Sequence, residues 1–165
     1  MTFQLRTKDT DGIYSHCLSI ENDIVAIRPC TADPLYALWF QTGDPSRLLQ
    51  CDRSKKGSHN CVVLAPPNPR SEVWTPAVHH DEHACLKQGI QESKKYLVTP
   101  PPLGEPNGNP MCLASSCPTC ATHDLIWISC KEEGRCEGAT QVHNGNTYSC
   151  IPNWVARYTD PSAIC

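Results

Sequence analysis

Twelve cysteines in 165 residues constrain this chain more than any other feature of it. They are Cys17, Cys30, Cys51, Cys61, Cys85, Cys112, Cys117, Cys120, Cys130, Cys136, Cys150 and Cys165. Zinc ligands come in tight pairs set by the geometry of the metal. Most of these cysteines are dispersed instead, and their number is even. That pattern predicts a disulfide framework formed in an oxidising compartment. Each bridge typically contributes about 2–4 kcal/mol by restricting the unfolded chain, so a few of them outweigh a modest core. The core is modest, with 39% apolar and 7% aromatic residues. Fifteen prolines, each fixing φ and removing a backbone donor, argue against long helices and central parallel strands. The expected fold class is all-β and disulfide-rich, with an irregular Cys-dense C-terminal part.

Charge narrows the partners. The net charge is −3, and the longest basic runs are the pairs Lys55-Lys56 and Lys94-Lys95. Nucleic-acid binding needs a concentrated cationic face, so it is not expected. The longest strongly apolar run, Leu125 to Cys130, falls far short of the roughly 20 residues that span a bilayer. The start, Met1-Thr2-Phe3-Gln4-Leu5, has no apolar signal core. The expectation is a secreted, extracellular protein whose leader was removed and to which Met1 was added. No Asn-x-Ser/Thr sequon is present.

Along the chain, Ile24-Val25-Ala26-Ile27 and Cys61-Val62-Val63-Leu64 read as short strands closed by nearby prolines. Asp9-Thr10-Asp11-Gly12, Thr42-Gly43-Asp44-Pro45, Lys56-Gly57-Ser58 and Pro66-Pro67-Asn68-Pro69 read as turns. Cys85 to Lys95 carries a helical apolar spacing interrupted by Gly89. Residues 99–110, rich in Pro and Gly, predict an exposed loop. Five cysteines precede it and seven follow, so complete internal pairing requires a bridge across it. The expected organisation is one disulfide-linked unit over 1–165. It comprises repeats over 3–98, the 99–110 loop and a Cys-dense part over 111–165.

A weak repeat joins these signals. The pattern is a Cys, a short apolar strand, a loop and then a Trp, with Trp39, Trp74 and Trp127 as the marks. Cys17-Leu18 and Cys85-Leu86 read as equivalent openings. Such units close a core only together, which places these three tryptophans in it.

The stretch Cys17-Leu18, Ile24-Val25-Ala26-Ile27-Arg28-Pro29-Cys30, Leu38-Trp39 and Leu48-Leu49-Gln50-Cys51 resembles the ricin B-type β-trefoil. That group includes the cysteine-rich domain of mannose-receptor-like proteins. The resemblance covers about residues 3–90. It implies a β-trefoil-like fold, a Cys17–Cys30 bridge and carbohydrate binding. It also implies a stacking aromatic at Tyr36 and a hydroxyl-binding acid at Asp52, just after Cys51. The family's Gln before each Trp is absent, and Ser19 and Lys87 stand where its sugar-binding Asp usually follows Cys-Leu. Beyond the resemblance, a local reading pairs Cys51 with Cys61, and Cys85 with a cysteine in 112–165. Packing in a small core is the competing reading of Tyr36.

His79-His80-Asp81-Glu82-His83 is the densest ligand-type cluster, and His79, His80 and His83 are the weak metal candidates. An exposed polar loop is the competing reading. Cys117-Pro118-Thr119-Cys120 fits a redox pair only at a helix start. Among so many cysteines it reads as a structural disulfide. Asp9-Thr10-Asp11-Gly12 begins like a calcium loop but lacks its later ligands. Glu132-Glu133 reads as a solvated pair. No Gly-x-Ser-x-Gly or phosphate loop occurs.

These features predict a non-enzymatic recognition protein without cofactor, whose partner is a glycan or an extracellular protein. The candidate ligand-binding residues are Tyr36, Asp52 and Trp154, the last read with Tyr158 as a surface anchor near the C-terminus. The alternative is a protein-binding module on the same scaffold, such as an effector, an inhibitor or a receptor ectodomain. A redox or hydrolytic enzyme is the third reading.

Overall fold

A computed structural model describes residues 2–31, 34–51, 58–67, 72–93, 95–101, 108–130 and 135–158. Strands dominate. They are β1 (Phe3–Thr7), β2 (His16–Glu21), β3 (Ile24–Pro29), β4 (Trp39–Thr42), β5 (Arg47–Cys51), β6 (His59–Ala65) and β7 (Thr75–His79). β8 (Gln91–Ser93), β9 (Tyr96–Thr99), β10 (Met111–Ser115), β11 (Leu125–Ser129), β12 (Thr140–His143), β13 (Asn146–Cys150) and β14 (Val155–Tyr158) follow. A 3₁₀ turn over Pro34–Ala37 and one helix, α1 (Glu82–Gln88), complete the described elements.

Two sheets result. One runs β3-β2-β1-β4-β5-β6-β7 with β14 on β1, and the other runs β12-β13-β10-β9-β8 with β11 on β10. The first and last strands pair antiparallel, Phe3 facing Tyr158 and Arg6 facing Val155. β4 pairs with both β1 and β5. Leu48 N–H donates to the Ile90 carbonyl at 2.8 Å and links β5 to the start of β8. β8 and β9 form a hairpin, and Trp154 N–H donates to the Lys95 carbonyl at 3.0 Å. Three hairpins, β2–β3, β6–β7 and β10–β11, pack against this series. They touch one another through bridges between Ile27 and Thr122 and between Trp74 and Trp127.

The main core collects one face from every part. Leu18, Ile20, Val25 and Ile27 come from the first hairpin, Val62 from the second, and Met111, Leu113, Leu125 and Trp127 from the third. Phe3, Leu5, Trp39, Leu48, Ile90, Leu97, Ile151 and Trp154 complete it. The alternation of apolar residues in β2 and β3 follows from the two-residue period of a strand.

Disulfides repeat with the hairpins. Cys17 in β2 bonds Cys30, Cys61 in β6 bonds Cys85, and Cys112 in β10 bonds Cys130. In each, a first-strand cysteine ties to one beyond the second strand. Cys117–Cys120 and Cys136–Cys150 are local bridges. Cys17–Cys30 is as expected. The expected Cys51–Cys61 bridge is corrected, because Cys61 is held by Cys85, which for the same reason does not pair with 112–165. Cys51 is also disulfide-bonded. Cys165 lies outside the described residues.

Other expectations change. The part after 111 is not irregular, for β10 to β14 occupy most of its described residues. There Cys112 and Cys150 sit in strands, while Cys117, Cys120, Cys130 and Cys136 lie between strands and bridge back to them or to each other. The helix lies at Glu82–Gln88 rather than Cys85 to Lys95. Asp81 caps its start through His83 N–H, and Gly89 closes it, where a Cβ would fall 2.5 Å from the Cys85 carbonyl oxygen. The loop expected at 99–110 begins in β9, with Thr99 buried, and residues 102–107 lie outside the described residues. The Thr42–Pro45 turn joins β4 to β5, with Gly43 at φ +89°. Cys85-Leu86 is helical and is no counterpart of Cys17-Leu18 in β2.

Candidate functional site

A cleft of about 490 Å³ opens beside the second hairpin. Leu64 and Pro66 from the end of β6, Trp74, Lys87 and Gln88 from α1, and Pro100 and Pro101 after β9 line it. Each wall has a local cause. β6 ends where Pro66-Pro67 withdraws backbone donors. The Cys61–Cys85 bridge ties α1 to β6, so the last turn of the helix stays over the cleft. Trp74 is fixed through its backbone, its carbonyl accepting from Trp127 N–H at 2.9 Å. Its side chain is half-buried, packed on the core along one side. Lys87 and Gln88 are exposed. The cleft is therefore mostly apolar, with one indole, one cation and one amide, and its size lies within the usual range for small-ligand sites.

The expected site residues are not brought together. Tyr36 is half-buried in the 3₁₀ turn, where its carbonyl accepts from Gln50 Nε2. It does not line the Trp74 cleft. Asp52 lies outside the described residues. Trp154 is corrected as a surface anchor: only 1% exposed, it is part of the main core and offers no face to a ligand. Tyr158 is exposed and meets Phe3 edge-on at 5.7 Å.

Within the histidine cluster, His80 has structural partners. His80 bridges two elements, Nε2 lying 3.0 Å from Asp23 Oδ1 and Nδ1 against Asn60 Oδ1. Asn60 in turn donates to Gln50 Oε1 at 3.2 Å, and Gln50 Nε2 donates to the Ile20 carbonyl at 3.1 Å. Both His80 ring nitrogens are thus occupied. His79 closes β7, and His83 sits in the first turn of α1. The Sγ atoms of Cys112, Cys136 and Cys150 lie within 4.8 Å of one another, but all three belong to disulfides and supply no thiolate.

The Asp9 loop is a turn. Its carboxylate accepts from Ser15 Oγ, Asp11 N–H and Ile13 N–H. Those bonds, that of Ser15 foremost, hold its pKa below the usual carboxylate value. Cys117–Cys120 is half-buried and bonded. Glu132 and Glu133 lie outside the described residues.

Sequence reasoning placed Trp74 in the core and so missed its open side. Pro66 was legible in a turn and Pro100 and Pro101 in an exposed loop, and these three prolines wall the cleft.

No model of a known protein family matches the chain, and no curated protein or solved structure does so. Its chemistry is therefore read from the geometry. Among the described residues every cysteine is bonded, so none is a nucleophile. No described helix is long and apolar enough to cross a membrane.

Proposed function

We propose that this chain is a secreted, non-enzymatic recognition protein of β-trefoil arrangement that binds carbohydrate in the Trp74 cleft. The half-buried Trp74 in its apolar cleft carries the reading. An indole face suits the C–H patches of a pyranose, while the Gln88 amide and Lys87 ammonium reach hydroxyl groups at the rim. The trefoil arrangement is supported by the joined first and last strands and by three hairpins bearing equivalent disulfides. Secretion is supported by five disulfides among the described residues, a density that reducing compartments disfavour.

A protein-binding module is the second reading. It is favoured by the absence of any carboxylate among the described residues of the cleft lining and by the three prolines there, which suit an extended peptide. One experiment separates the two: titration with a panel of neutral saccharides, followed through backbone amide resonances. Saturable shifts at Leu64, Lys87 and Gln88 support carbohydrate. Silence across the panel, with a protein partner recovered by the wild type and lost by Trp74→Ala, supports the module.

A further inference from the structure

A second cavity, of about 500 Å³, lies beside the joined first and last strands, away from the residues of the Trp74 cleft. Its walls include Arg6, Arg157, Tyr14, Ser15, Ile13 and Thr31. The strand register explains why two arginines meet. Gln4 faces Arg157 across the pair, and Arg6 stands two residues beyond Gln4 on the same face.

Among the described residues neither guanidinium has an acid to answer it. Arg6 gives Nε and NH2 to Gln4 Oε1, at 2.9 and 2.6 Å, and NH1 to the Tyr14 carbonyl at 3.2 Å. These acceptors are neutral, and they hold the group in place. Among the described residues, neither Arg6 nor Arg157 forms a salt bridge. The Lys8 ammonium lies 5.5 Å from the centre of the Tyr14 ring and adds positive charge. The nearby Asp9 carboxylate is turned into its own loop, bonded to Ser15, Asp11 and Ile13. Burial and the neighbouring Arg157 charge both hold the pKa of Arg6 below its usual value. Two like charges brought together at the wall of one cavity favour an anion that spans them.

We propose that this cavity is an anion site that takes a phosphomonoester, gripped by Arg6 and Arg157, with Tyr14 and Ile13 as its apolar wall. A phosphomonoester carries close to two negative charges at neutral pH and three terminal oxygens. It thus answers both guanidinium forks, where a carboxylate answers one. The exposed Ile13 and the Tyr14 ring favour a phosphate carried on an apolar group over the free ion.

The test is titration of the intact chain with phenyl phosphate, inorganic phosphate, benzoate and sodium chloride at one ionic strength, followed by backbone amide resonances. Phenyl phosphate is expected to shift Tyr14, Ser15 and Arg157 saturably, and inorganic phosphate to do so more weakly. Arg157→Gln changes an exposed side chain and keeps the fold, whereas Arg6→Lys keeps the charge but not the fork. Each is expected to weaken phenyl phosphate about tenfold or more. Benzoate binding as tightly as phenyl phosphate would overturn the proposal. So would shifts that chloride reproduces, or binding that survives both substitutions.

Discussion

Trp39 is sealed in the core, and its indole N–H donates to the Leu18 carbonyl at 3.0 Å. Trp39→Ala is expected to cost about 3–5 kcal/mol, read from denaturant unfolding. Trp74→Ala should cost clearly less, since Trp74 is only half-buried, yet should abolish ligand binding. Tyr148 gives a pH signature. Burial first, and then its hydrogen bond to and the charge of Asp124, raise its pKa above the ordinary tyrosine value. The folded chain keeps this proton to higher pH than the unfolded chain. The contribution is therefore whole below about pH 10 and is lost as pH rises through the folded value. The unfolding midpoint should fall as pH rises above about 10, and fall less in Tyr148→Phe. Tyr96, raised by burial and by Glu137, leaves a remainder. A midpoint that falls equally in the variant would contradict this. At this scale the sequence showed residue type but not orientation. Trp39, Trp74 and Trp127 read alike as core and Trp154 as a surface anchor, until the strands decide which indole faces the core.

Elements were more legible. β-branched runs marked β3 and β6, and proline marked their ends, because backbone geometry alone sets both signals. The repeat was legible only in part. Its structural marks are Cys17-Leu18, Cys61-Val62 and Cys112-Leu113, the first strands of the three hairpins, rather than the tryptophans. Trp39 instead begins β4 after a hairpin, while Trp154 precedes β14 and Ile90 precedes β8. β10 to β14 were hidden because Cys, Asn and Gly there mimic loop composition, while cross-strand pairing supplies the order. Asp81→Ala should destabilise α1 by about 1 kcal/mol, since the His83 N–H loses its acceptor. Thermal unfolding of that variant checks the cap. An unchanged midpoint would show that the Cys61–Cys85 bridge alone holds the helix.

For the whole molecule, covalent closure is the expectation that counting reaches. Ten cysteines fall in five bridges, and Cys51 is bonded as well, which leaves Cys165 as the remaining cysteine of the twelve. A non-reduced peptide map should therefore yield a Cys51–Cys165 peptide, which meets the demand for a bridge across 99–110. A Cys51–Cys61 peptide would break the scheme. Within this closed unit the Trp74 cleft is the proposed recognition surface, and the four tryptophans make it directly observable. Each gives its own indole N–H resonance, and three of them, Trp39, Trp127 and Trp154, are at most 1% exposed. The deciding measurement is a titration with neutral saccharides that follows these four signals. A neutral saccharide is expected to move the Trp74 indole signal saturably while the other three stay in place. A saccharide that binds without moving Trp74, or a panel in which none moves it, would contradict this reading.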